Sequence, residues 1–217
     1  MDLQDLAIWV IPLLVAVTFH EAMHGVVAHR LGDPTAKLMG RLTLNPLAHV
    51  DPLGTLLVPA LLFLSHAGFL FGWAKPVPVN PFRLRNPKRD MIWVACAGPL
   101  TNLSLAAASG VVFQAFQFLD SPTPSASGAL LHFCKAVAVV SVRFNVLLAL
   151  FNLIPLPPLD GGRILVGILP REQAVALSRI EPFGMLLVVG LIALNPFGLM
   201  SQLWRLMDAL TRAFLGF

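Results

Sequence analysis

The chain has 217 residues, of which 57% are hydrophobic and 12% charged, and its mean hydropathy is +0.78. A soluble domain would carry about twice that share of charge, so composition excludes one and leaves a polytopic membrane protein. The net charge of +4 fits basic residues gathered at one membrane face, and nucleic-acid binding is set aside.

Five apolar stretches approach the roughly 20 residues a helix needs to span the hydrocarbon core: Leu6 to Val27, Leu53 to Phe71, Met91 to Leu119, Leu130 to Leu153 and Phe183 to Leu203. Asp2 and Asp5 precede the first, and no small-residue cleavage signature follows it. It reads as a retained helix and not as a signal peptide. Basic residues cluster at Arg30, Lys37 and Arg41, at Lys75, Arg83, Arg85, Lys88 and Arg89, and at Arg163, Arg171 and Arg179. The positive-inside rule puts all three groups in the cytoplasm, with the first helix running inward and the neutral loop from Asp120 to Gly128 outside.

The second stretch does not fit one crossing, because both of its flanks belong on the cytoplasmic side. Either residues 53 to 71 form a helical hairpin or re-entrant loop, or Gly72 to Asn80 carries the chain back as extended backbone. That run alternates Pro and Val around Pro76 and Pro78, which forbids helix. Extended backbone at membrane depth needs protein or a wet cavity beside it. The expected fold is an all-α polytopic membrane protein of about five to six transmembrane helices, with a short extended or re-entrant segment near the active site.

Toward the C-terminus, Leu203, Met207, Leu210 and Phe214 share one helical face and Arg205, Asp208 and Arg212 lie elsewhere. That pattern suits an interfacial or packing helix, or a simple terminal helix. No internal repeat or appended soluble domain is visible, so residues 1–217 read as a single membrane-embedded domain. Cys96 and Cys134 lie in apolar segments and read as buried apolar side chains. Arg143, inside the fourth stretch, is expected to face the bundle interior and pair with an acid or a carbonyl.

The first stretch contains His20-Glu21-Ala22-Met23-His24. On a helix the two imidazoles project to one side, about 40° apart, as two ligands of one tetrahedral metal must. Glu21 lies about 60° from His24 and can reach a metal-bound water without ligating the metal. With 6 His and 3 Glu in 217 residues, chance would produce this pattern roughly 0.002 times. His20 precedes Arg30 by ten residues, about 15 Å of helix, and ionisable groups at such depth call for a function. A hydrogen-bonded polar cluster joining helices is the alternative. His29, His66 and His132 read as interfacial; His49, in Asn45 to Pro52, fits a turn or a contact behind the site equally well.

A catalytic zinc takes three protein ligands and keeps one position for water. Asp160 is the best third candidate: it follows Asn152, Pro155, Pro157 and Pro158 at the cytoplasmic end of the fourth stretch, and Gly161 and Gly162 follow it. Prolines unwind the backbone there and glycines allow close approach. Without other information a helix-terminating turn explains the same residues.

The chain here resembles the site-2 protease family of zinc intramembrane metalloproteases, which pairs His-Glu-x-x-His with a later Asn-x-x-Pro-x-x-x-Leu-Asp-Gly. Asn152, Pro155, Leu159, Asp160 and Gly161 match the second motif. Ala97-Gly98-Pro99-Leu100-Thr101-Asn102 resembles the family's third-segment pattern, and Gly40 to Thr55 and Gly72 to Pro81 resemble its short members, which lack PDZ or CBS domains. The similarity covers most of residues 1 to 195. It implies one Zn2+ per chain held by His20, His24 and Asp160, with Glu21 activating the water, and Asn152 and Asn102 as candidates for contacting substrate or oxyanion.

The expected function is hydrolysis of peptide bonds within or near transmembrane segments of membrane-protein substrates. The expected setting is the lipid bilayer of the cell membrane, with the active site nearer the cytoplasm; a homo-oligomer stays open. A metal transporter, or a non-catalytic membrane scaffold, could use the same His and Asp cluster.

Overall fold

The computed structural model describes residues 3–65, 72–119 and 126–217. His66, most of the neutral loop after Leu119 and the end of the second apolar stretch lie outside the described residues. The described chain is helical, with no strand.

Helix α1 (Leu3–Arg30) is followed by a single turn, α2 (Thr35–Leu38). A short 3-10 turn (Pro46–His49), a π turn (Pro52–Leu57) and helix α3 (Val58–Leu64) come next. The long helices α4 (Pro87–Phe118) and α5 (Ala126–Asn152) precede α6 (Asp160–Ile168), α7 (Arg171–Ser178), α8 (Gly184–Leu194) and α9 (Leu199–Leu215). Four stretches among the described residues are long and apolar enough to cross a membrane: Leu3–Arg30, Pro87–Phe118, Gly128–Asn152 and Arg171–Leu194. The last expected stretch, Phe183 to Leu203, is therefore divided. Asn195 takes a left-handed conformation with φ 42° and Pro196 follows, so α8 stops and α9 starts in a new direction.

Helix α4 is the central element, packed on α1, α5 and α6. Small residues make this possible: α1 buries Ala16, Ala22, Gly25 and Ala28, and α4 buries Ala95, Ala97, Gly98 and Ala106. Without bulky side chains between them the two backbones approach closely, as membrane helices commonly do. Phe113 of α4, Val142 and Val146 of α5, and Met207 and Leu215 of α9 close one apolar core. The C-terminal helix is thus a packing helix, with Arg205, Asp208 and Arg212 exposed.

One expectation changes. Arg143 is exposed on the outer side of α5. Val142, Asn145, Val146 and Ala149 take up the inward stripe of that helix, and at 100° per residue position 143 falls off it. The flanks of the second apolar stretch are tied together: the Trp73 N–H donates to the Gly54 carbonyl at 3.0 Å and the Lys75 N–H to the His49 carbonyl at 2.9 Å. The chain between Gly54 and Trp73 therefore starts and ends at one level.

Candidate metal centre

His20 and His24 sit one turn apart on α1, both buried, with ring centroids 4.7 Å apart. Asp160, also buried, opens α6 after the non-helical run from Leu153 to Leu159. Its Oδ2 lies 3.2 Å from His20 Nε2 and 3.3 Å from His24 Nε2. The three potential ligand atoms fall within 4.8 Å of one another, the one such group among the described residues.

Two glycines make room. At Gly161 a Cβ would collide with the Leu153 carbonyl oxygen, so only glycine lets the unwound run fold back onto the start of α6. At Gly98 a Cβ would stand 2.6 Å from both His Nε2 atoms. Helix α4 therefore passes directly behind the imidazoles, and any side chain at 98 would enter the ligand space.

The protons on the two rings can be located by elimination. His24 Nδ1 lies 2.7 Å from the Val94 carbonyl, which can only accept, so Nδ1 carries a proton, and in the neutral ring Nε2 holds the lone pair that a metal needs. His20 Nδ1 lies 2.6 Å from Asn102 Oδ1. The Asn102 amide nitrogen donates to the Ala16 carbonyl at 3.2 Å, which fixes the amide orientation, so His20 is also protonated on Nδ1. Asp160 Oδ2 receives no hydrogen bond. The Nε2 atoms of two imidazoles and a carboxylate oxygen thus converge in a buried place. That arrangement demands positive charge, and the N, N, O donor set suits zinc. His20, His24 and Asp160 fit the metal that the sequence motifs imply.

Glu21 stands beside this group without joining it. Its Oε2 accepts a 2.8 Å hydrogen bond from the Val77 N–H. The run from Gly72 to Asn80 is non-helical, as its prolines require, and passes Glu21 as a strap. Asn80 N–H donates to Asp33 Oδ2 at 2.6 Å, and Arg41 donates to the Lys75 carbonyl at 3.0 Å. Asp33, beyond the end of α1, also accepts from the Thr35 N–H and hydroxyl. Burial raises the Asp33 pKa; the bonds from the Thr35 hydroxyl, Asn80 N–H and Thr35 N–H, with nearby Arg83, outweigh burial and leave it below the ordinary carboxylate value.

The remaining sequence candidates fall in different places. Asn102 is fully buried against His20. Asn152 is half-buried at the end of α5, its amide nitrogen donating to the Leu148 carbonyl at 3.0 Å. His49 is buried and its Nε2 lies 3.0 Å from the Thr43 carbonyl. His132 is exposed and His29 half-buried, and neither joins the group. Val77 and Asn145 escaped sequence reading: a backbone N–H has no signature, and a lone Asn in an apolar helix is ambiguous. The asparagine's position inside a membrane span was the available signal.

The sequence profile of Peptidase family M50 matches residues 8–194. The chain is 37% identical over 203 residues to the protein named "Putative zinc metalloprotease YwhC" of Bacillus subtilis (strain 168), covering 92% of this chain and 85% of that one. It is 31% identical over 180 residues to "Putative zinc metalloprotease Rip2" of Mycolicibacterium smegmatis (strain ATCC 700084 / mc(2)155), covering 82% of this chain and 64% of that one. No solved structure matches significantly. The family match spans α1 through α8 and includes the His20, His24 and Asp160 group, so this integral membrane protein belongs to peptidase family M50, the site-2 protease family.

Proposed function

We propose that the chain is a zinc endopeptidase that cuts membrane-protein substrates within or near their transmembrane segments, using one zinc held by His20, His24 and Asp160. The observation that carries this reading is the convergence of three buried potential ligand atoms from two histidines and an aspartate, beside a Glu21 that stands outside the group. A bound zinc supplies Lewis acidity, making water acidic near neutral pH and polarising the scissile carbonyl.

Glu21 takes a proton from the attacking water and delivers one to the leaving amine. The Val77 N–H occupies one acceptor site on Oε2 and fixes the carboxylate's direction; a carboxylate has about four such sites, so capacity for the proton remains. Asn102 spends both ends of its amide on buried partners, which supports a ring-holding role. Asn152 has one amide N–H beyond its bond to Leu148 and can offer it to a substrate carbonyl or oxyanion.

A substrate helix must unwind before attack, because its peptide groups are satisfied internally. The strap from Gly72 to Asn80 is non-helical and meets Glu21 at Val77, where it can hold an opened substrate segment by backbone pairing. Basic residues around the strap and after Asp160 support a site nearer the cytoplasmic face of the cell membrane.

The test is a chain reconstituted in liposomes with quenched-fluorescence transmembrane peptides. Glu21→Gln is expected to keep about one zinc per chain and to lose cleavage by about 10²- to 10⁴-fold. Undiminished cleavage contradicts the reading. So does zinc flux across the liposome that the same substitution abolishes, which is the behaviour of a transporter.

A further inference from the structure

Behind His20 a chain of polar side chains runs through the bundle where apolar contacts would otherwise be expected. Asn102 of α4 donates to Asn145 Oδ1 of α5 at 2.8 Å. Asn145 in turn donates to the Ser141 carbonyl at 2.9 Å and lies 3.3 Å from the Ser141 hydroxyl, which pairs with Ser109 of α4 at 2.8 Å. Asn102 and Asn145 are both completely buried. Buried amides in a membrane bundle are costly unless satisfied, and these are satisfied by one another.

The direction of each bond from Asn145 to His20 follows from one fixed end. The Ser141 carbonyl can only accept, so the amide nitrogen of Asn145 must face it. Asn145 Oδ1 then faces Asn102 and requires a donor. Asn102 answers with its amide nitrogen, leaving its Oδ1 toward His20, and that oxygen requires the His20 proton at Nδ1. The Ala16 carbonyl reinforces the same orientation, at a longer 3.2 Å.

We propose that Asn145 is a positioning residue for the metal centre, which through Asn102 fixes the proton of His20 on Nδ1 and leaves Nε2 free to ligate. This rests on His20, His24 and Asp160 being the zinc ligands. Asn145 touches neither His20 nor Asp160, and its effect is read through the amide of Asn102.

The experiment measures zinc affinity of the full-length protein in detergent by chelator competition, for wild type, Asn145→Leu and Asn145→Asp. Asn145→Leu, close in size but without an acceptor, is expected to weaken zinc about tenfold, at the lower end of the 10- to 100-fold effects seen behind metal ligands. Asn145→Asp, protonated in this buried place, can still donate to Ser141 and accept from Asn102, so it is expected to recover most of the affinity. If Asn145 served only to fill space, Asn145→Leu would bind zinc like wild type and Asn145→Asp would be the worse variant; that order overturns the proposal. Should Asn145→Leu fail to fold, the 15N spectrum of the zinc-loaded wild-type chain decides. A proton on His20 Nδ1 is expected, and ligation through Nδ1 overturns it. Asp160→Asn serves as the control: retained zinc in that variant refutes the ligand assignment itself, whereas lost zinc there with an unaffected Asn145→Leu refutes this inference alone.

Discussion

Two imidazoles one turn apart on a helix serve a metal only if their protons lie elsewhere, and here a backbone carbonyl and an asparagine oxygen take them. The His20, Glu21 and His24 spacing was legible in the sequence because it is local to one helix and set by its period. The partners that orient the rings were not, because Val94 and Asn102 reach them only through the packing of α4 on α1. Gly98 shows the same dependence. Its place in a recognisable pattern was visible, but its reason, an α4 backbone with no side chain between it and both Nε2 atoms, exists only in the packed bundle. Gly98→Ala places a methyl in the ligand space. It is expected to weaken zinc by at least tenfold with helix content unchanged, as measured by metal analysis and circular dichroism on one sample. Full zinc retention would mean that α4 can recede.

Among the elements, the strap and the second apolar stretch were the hardest to read. Proline and valine alternation showed that Gly72 to Asn80 could not be helix, yet nothing local showed where it lies. Its position depends on long-range bonds: Trp73 to Gly54, Lys75 to His49, Val77 to Glu21 and Asn80 to Asp33. Asp33 is the anchor nearest the end of α1. Because its folded-state pKa is lowered, its stabilisation is fully present above the unfolded value near 3.9 and fades as pH falls through the lower folded value. Asp33→Asn is therefore expected to destabilise the protein by about 1–3 kcal/mol at neutral pH. The gap to wild type should close under strong acid. Thermal unfolding of both proteins from neutral pH into strong acid, well below the unfolded value, checks this; a gap that persists or widens there contradicts it.

For the whole molecule, composition alone settled that the chain is a helical membrane protein, since apolar content and span length are summed properties. Its partition into spans was less legible. The end of α8 depends on Asn195 and Pro196, and α9 turns back to pack on α4 and α5. Arg143 looked like an interior charge because a membrane span makes it costly; the register of α5 instead points it outward, with Asn145 inside. The bundle's consequence for function is that α1 and α6, joined through α4, bring residues 20, 24 and 160 together across most of the chain. X-ray absorption at the zinc edge on the full-length protein tests that convergence most directly. One zinc with two imidazole nitrogens and carboxylate oxygen at about 2.0–2.2 Å, plus one further light ligand, is expected. A sulfur ligand near 2.3 Å, or zinc binding undiminished in Asp160→Asn, would contradict it.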